Sequence, residues 1–115
     1  MKLQNDLGEI RISSEVFTAV TGSAATNCYC VKGMAVRSTT DGLVHLLKRE
    51  SMAKGVNVYY NDDGTVAIEL HIIVENGVNL TAVCHSIMSP VRYVVSSTTG
   101  VDVSTVDVYV DSVRF

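Results

Sequence analysis

The sequence predicts an α+β fold: a single two-layer domain, with an antiparallel or mixed sheet and helices packed on one face. Three observations carry this. From residue 66 to 75, Val66, Ile68, Leu70, Ile72 and Val74 alternate with Ala67, Glu69, His71, Ile73 and Glu75. Side chains alternate faces along a strand, so five large aliphatics share one face. Asn61-Asp62-Asp63-Gly64 supplies residues that tolerate left-handed backbone, between two runs that read as strands, so an antiparallel hairpin is expected. Leu80, Val83, Cys84, Ile87, Val91, Val94 and Val95 then recur at helical spacing and form a stripe able to cover the aliphatic face. Fully burying each strand aliphatic is worth roughly 1.5–3 kcal/mol. A one-residue slip would expose all five, so the register is strongly specified.

The expected order is β-α-β-α-β-β-α-β. Residues 1–7 are read as a flexible, frayed N-terminus, and 8–115 as the domain. Gly8 to Ile12 alternates apolar with charged and reads as a short strand. Ser13 offers an N-cap oxygen and Glu15 sits in the first turn of a helix from Ser14 to about Asn27. Its expected inner stripe is Val16, Val20, Ala24 and Asn27, with Phe17 assigned to the core. Cys28 to Arg37 reads as a strand, with Gly33 marking a bulge or close approach. Thr39, Thr40 or Asp41 can cap a short helix through Leu43, Val44, Leu46 and Leu47, ending at Lys48 and Arg49. Such a helix needs packing to hold it. Val56 to Tyr60 is the first arm of the hairpin. The long helix runs from about Leu80 to Ser97, capped by Asn79 or Thr81. Pro90 interrupts its hydrogen bonding at a cost of about 3 kcal/mol, so a kink is expected. Gly100 supplies the left-handed end. Val101 to Val110 completes the sheet, with the alternation broken at Ser104-Thr105 as by a bulge.

Composition removes several classes of function. The net charge of −3 and scattered basic residues, of which only Lys48 and Arg49 adjoin, argue against a nucleic-acid binder. No apolar run approaches the ~20 residues of a membrane helix, and Met1 to Leu7 lacks a signal-peptide core. A cytoplasmic location is expected. Three cysteines, an odd number, suit reduced thiols.

Cys28 and Cys30 raise the alternative of a small metal- or redox-responsive protein, completed by Cys84 or His85. Cys84 and His85 adjoin on a helix, about 100° apart, so they face different directions. Residues two apart on a strand sit about 6.6–6.8 Å apart, at the limit for a disulfide. The plainer reading is small buried hydrophobes. His45, His71 and His85 are scattered, and no serine has a recognisable nucleophile context. Asp62-Asp63-Gly64 lacks the later ligands of a calcium loop and reads as a turn. No catalytic residue, cofactor site or metal site is assigned. Tyr59, His71, Ile73 and Tyr109 fall on the second face of the sheet, and these four are the candidate interface. Asp107 and Asp111 make the last strand's outer face acidic.

Gly8-Glu9-Ile10-Arg11-Ile12-Ser13-Ser14-Glu15-Val16 resembles the G-x-I-x-I-x-x-E-V opening of the alkaline shock protein family of Gram-positive bacteria. Ala24-Ala25, Lys54-Gly55-Val56-Asn57-Val58, Ile72 through Asn79, Gly100 and Val106-Asp107-Val108-Tyr109-Val110 extend the resemblance over nearly the whole chain. Asn27 stands where relatives usually carry Glu, Cys30 where they carry Gly, and Pro90 where they seldom have proline. The resemblance implies a non-enzymatic cytosolic protein of envelope and alkaline stress response. It would act as a binding or scaffold domain, through self-association or a partner protein that is in some members membrane-anchored. It implies no nucleic acid partner and no insertion of this chain into the membrane. It brings no catalytic residues.

Overall fold

Both edges of the aliphatic strand are occupied, which makes it the centre of the sheet. In the computed structural model this strand, β6, spans Val66–Glu75. Residues 1–28, 31–37, 44–46 and 55–114 are described, of which 31–37 and 44–46 by their backbone. The other elements are β1 (Lys2–Asn5), β2 (Gly8–Arg11), α1 (Ser14–Thr26), β3 (Val31–Arg37), β4 (Val44–Leu46), β5 (Val56–Tyr60), α2 (Leu80–Thr99) and β7 (Val103–Arg114). Along one edge of β6 runs β7, parallel, from Val66↔Val103 to Glu75↔Arg114. The opposite edge is shared by two antiparallel neighbours. β5 takes Val66 to Leu70, and β3 takes Ile72 to Val74. β4 adds outside β3. The sheet is therefore mixed and the fold is α+β.

The period-2 pattern of β6 is realised as expected. Val66, Ile68, Leu70, Ile72 and Val74 are each at most 1% exposed. They share one core with Val83, Ile87, Val91 and Val95 of α2 and with Phe17, Ala24 and Ala25 of α1. Asn79 caps α2 by accepting from the Ala82 N–H at 3.0 Å, satisfying one of the orphan donors of the first turn. Gly100 ends it at φ 74°, with its N–H donating to Ser96 at 2.9 Å. Pro90 lies inside one continuous helix of 20 residues. The β5–β6 hairpin closes through Asn61-Asp62-Asp63-Gly64, with the Gly64 N–H donating to Asn61 and Gly64 at φ 87°. That is a turn followed by a left-handed residue, the common three-residue hairpin solution.

α1 begins where expected and buries Phe17 and Ala24 as expected, but its buried face is rotated away from Val16 and Asn27. Its buried residues are Phe17, Thr21, Gly22, Ala24 and Ala25, while Val16 is 42% exposed. Val16 and Phe17 are about 100° apart around the axis, and here Phe17 turns inward while Val16 turns outward. The larger ring buries more area and wins; it meets Tyr60 edge-on at 6.0 Å. Ser13 makes no side-chain cap, although its backbone carbonyl accepts from Val16 at 3.1 Å. Thr21 Oγ1 is buried and has no hydrogen-bond partner among the described residues.

Two further expectations change. Residues 2–5, read as a frayed end, form β1 and pair with β2 from Lys2↔Arg11 to Asn5↔Gly8. Asn5 Oδ1 closes that turn by accepting from Leu7 and Gly8. Over Val44–Leu46 a short strand stands where a helix is expected. So short a helix cannot sustain itself, whereas pairing with β3 gives the backbone partners at once. The rest of that expected helix lies outside the described residues. The register on β3 shifts between Val31 and Gly33, as the glycine suggests. β7 carries the expected bulge at Ser104 and a second one at Asp111, since Val110 pairs with Ile72 and Ser112 with Ile73.

Candidate functional site

The faces of β6 divide the molecule. Its even-numbered residues lie under the helices, so its odd-numbered residues from Ala67 to Ile73 belong to the other face. Tyr59 pairs with Ala67, and Tyr109 with His71, which puts both tyrosines on that face. The bulge at Asp111 adds a carboxylate there. It also lets Val110 and Val113, three apart, both pack against the core.

These residues form one connected cluster. His71 Nδ1 is 2.9 Å from Asp111 Oδ2, and His71 Nε2 is 2.8 Å from Glu69 Oε1. The Tyr59 hydroxyl donates to Glu69 Oε2 at 3.1 Å. The rings of His71 and Tyr109 stack, 5.0 Å apart and 12° from parallel. The imidazolium can donate to both carboxylates, whereas a neutral ring can donate to one only. Hydrogen bonding to Glu69, and then its negative charge, pushes the Tyr59 phenol above its ordinary value.

Both imidazole nitrogens are engaged by carboxylates, so neither is presented to a substrate. This arrangement fixes side chains rather than activating them. What it offers to solvent is aromatic: Tyr59 is 54% exposed and Tyr109 49%. Three of the four candidate interface residues, Tyr59, His71 and Tyr109, thus come together. Ile73 does not serve there, being 3% exposed. It lies next to the Asp111 bulge, opposite Ser112 and Gly33, where strands flank both of its sides. Glu69 and Asp111 complete the cluster. The sequence signal for Asp111 is the second break in alternation, where Val110 is followed by Val113.

A second feature is an apolar groove of about 760 Å³ between α1 and α2, lined by Val20, Ala24, Cys28, Pro90 and Val94 among others. Val20 and Ala24, two residues of the expected inner stripe of α1, lie along it. Pro90 has no N–H to give the Ser86 carbonyl, and both residues line the groove.

The two described cysteines show no sign of activation. Cys28 and Cys84 are free thiols, half-buried, and burial pushes both thiols up. Cys28 Sγ instead donates to the Ala24 carbonyl at 3.4 Å. Cys30 lies outside the described residues. Among the described residues no three metal-ligating side chains converge. No helix among them is long and apolar enough to cross a membrane.

Fold and site together define a small α+β protein whose ordered polar cluster braces exposed tyrosines on an open sheet face. The chain belongs to the alkaline shock protein family, described as having a cell envelope-related function, whose profile it matches over residues 2–115. It is 36% identical to Uncharacterized protein YloU of Bacillus subtilis (strain 168), over 99% of this chain and 95% of that one. It is 31% identical to Uncharacterized protein Spy1614 of Streptococcus pyogenes serotype M6, over 99% of this chain and 94% of that protein. Uncharacterized protein Spy1535 of the same organism is 27% identical, over 93% and 80% of the two chains. No solved structure matches.

Proposed function

We propose that this protein works by association rather than by catalysis, as a binding or scaffold domain in envelope stress response. It acts in the cytoplasm, and a partner protein holds it near the membrane. The observation that carries this reading is the braced tyrosine pair: Tyr59 is tied to Glu69, and Tyr109 is stacked on a His71 that two carboxylates hold. A tyrosine fixed before binding loses little freedom on binding, which favours it as a contact residue. The family description supports the envelope connection.

Affinity capture from a Gram-positive host lysate tests the reading, comparing the wild type with a Tyr59→Ala, Tyr109→Ala double variant. The expected outcome is a defined partner, or a second copy, retained by the wild type and lost by a double variant that is still folded by circular dichroism. A wild-type protein that is strictly monomeric and retains nothing would refute it.

A further inference from the structure

β2 is built differently from the strands of the main sheet. Among the described residues it pairs with β1 alone, in a two-stranded ribbon separate from the larger sheet. Met1 and Ile12 exchange backbone hydrogen bonds, each at 2.8 Å. Hydrogen-bonded and non-bonded pairs alternate along an antiparallel ladder. With Leu3 opposite Ile10, the Ile10 backbone groups therefore point toward β1. Those of Glu9 and Arg11 point outward, to an edge with no partner among the described residues. That edge has neither proline nor bulge, two of the means of blocking edge pairing. What guards it is its four-residue length and the charges of Glu9 and Arg11, so only a strand of complementary charge suits it. Ile10 is 53% exposed beside it.

Resting on the association reading above, we infer that β2 pairs antiparallel with β2 of a second copy, about a two-fold axis at Ile10. The register follows from two constraints. Outward backbone groups must meet outward groups, so Glu9 or Arg11 of one copy must face Glu9 or Arg11 of the other. A two-fold axis at Glu9 would oppose Glu9 to Glu9, and an axis at Arg11 would oppose Arg11 to Arg11. Like charges directly across a ladder are unfavourable. With the axis at Ile10, Glu9 lies opposite the partner's Arg11, and Arg11 opposite the partner's Glu9. The two Ile10 residues then form the close, non-hydrogen-bonded central pair. The contact is self-complementary, as a two-fold interface requires, and joins two ribbons into one four-stranded sheet.

Within one copy Glu9 already pairs with Arg11 and with Lys2, the latter at 3.6 Å. Both are exposed surface pairs, which hold side chains weakly and can re-form across the axis. The specificity therefore resides in charge order along the edge: acidic at 9, apolar at 10, basic at 11.

Sedimentation equilibrium on the untagged full chain, over a range of concentrations, tests this by charge exchange. The wild type is expected to associate reversibly to a dimer. Glu9→Arg and Arg11→Glu, each alone, place like charges opposite each other twice and should weaken self-association by about tenfold or more. Mixing those two variants should restore a heterodimer, because each strand then complements the other. The double variant Glu9→Arg, Arg11→Glu should recover the homodimer. Recovery in the mixture guards against a variant that has merely misfolded. Single variants that dimerise like the wild type, or a mixture that stays monomeric, would overturn the inference. So would a monomeric wild type whose capture of another protein is lost on Glu9→Arg, since the edge would then serve a foreign strand. If the charge series has no effect while the Tyr59→Ala, Tyr109→Ala variant loses its partner, the pairing fails and the association reading stands.

Discussion

β6 and β2 are both strands with alternating sequences, yet they stand at opposite extremes of support. β6 has neighbours on both edges, and its five aliphatics are at most 1% exposed. β2 has one neighbour among the described residues, and all four of its residues are exposed. Alternation alone does not set a strand's worth; what lies across its edges and over its face does. Stability is thus concentrated in the β6 layer, while the adaptable backbone donors and acceptors are on the ribbon.

The sharpest test of that contrast sets Leu70→Ala against Ile10→Ala. Leu70 is fully buried under the helices, and truncation should cost about 2–5 kcal/mol of unfolding free energy. Ile10→Ala should change it by no more than about 0.5 kcal/mol, measured at concentrations where the protein is monomeric. Equal losses in urea unfolding would abolish the distinction. The core between β6 and the helices also contains a flaw, on α1. Thr21 Oγ1 is buried without a hydrogen-bond partner among the described residues. Removing an unsatisfied hydroxyl relieves a desolvation cost of about 1–3 kcal/mol, so Thr21→Val should raise the melting temperature. A fall would show that the hydroxyl is satisfied.

Smaller effects are expected at the end of the covering helix. Gly100 has φ 74°, where an alanine side chain is strained, so Gly100→Ala should cost about 1 kcal/mol in denaturant unfolding. The smallest effect lies on the open face. Tyr59 is raised by its hydrogen bond to Glu69, so its contribution to stability is present below the ordinary tyrosine range. It is lost as pH rises through the higher folded value. Ultraviolet titration should find Tyr59 ionising late. Glu69→Gln should remove that delay, and Tyr59→Phe should remove that chromophore.

The long periodic elements were legible because several signals agreed over many residues. β6 had five alternating aliphatics and a turn motif before it, and α2 had its stripe and both caps. Short segments were not, because three or four residues satisfy either period. Val44–Leu46 fits a helix face as well as a strand, and Lys2–Asn5 has one apolar residue to mark it. On α1 Phe17 and Ala24 were placed correctly and Val16 was not, because a helix of small residues has no strong periodic stripe to fix its rotation. Of the candidate site, Tyr59, His71 and Tyr109 followed from strand alternation. Alternation also put Ile73 and Asp111 on that face, but the burial of Ile73 and the Asp111–His71 contact did not follow from it, because the second bulge on β7 changes which side chains meet there, and a bulge is a tertiary event.

The parallel pairing of β6 with β7 has a consequence during synthesis. A hairpin can close as soon as its second arm is made, but here one whole flank of the central strand waits for α2 and then for β7. Between Glu75 and Arg114 lie 39 residues of further translation, which takes about 2–8 s at ordinary elongation rates. For that interval the nascent chain displays an apolar ladder with an open side. Slow codons or a stalled ribosome between these two strands would therefore expose the chain to aggregation more than a pause before Val66.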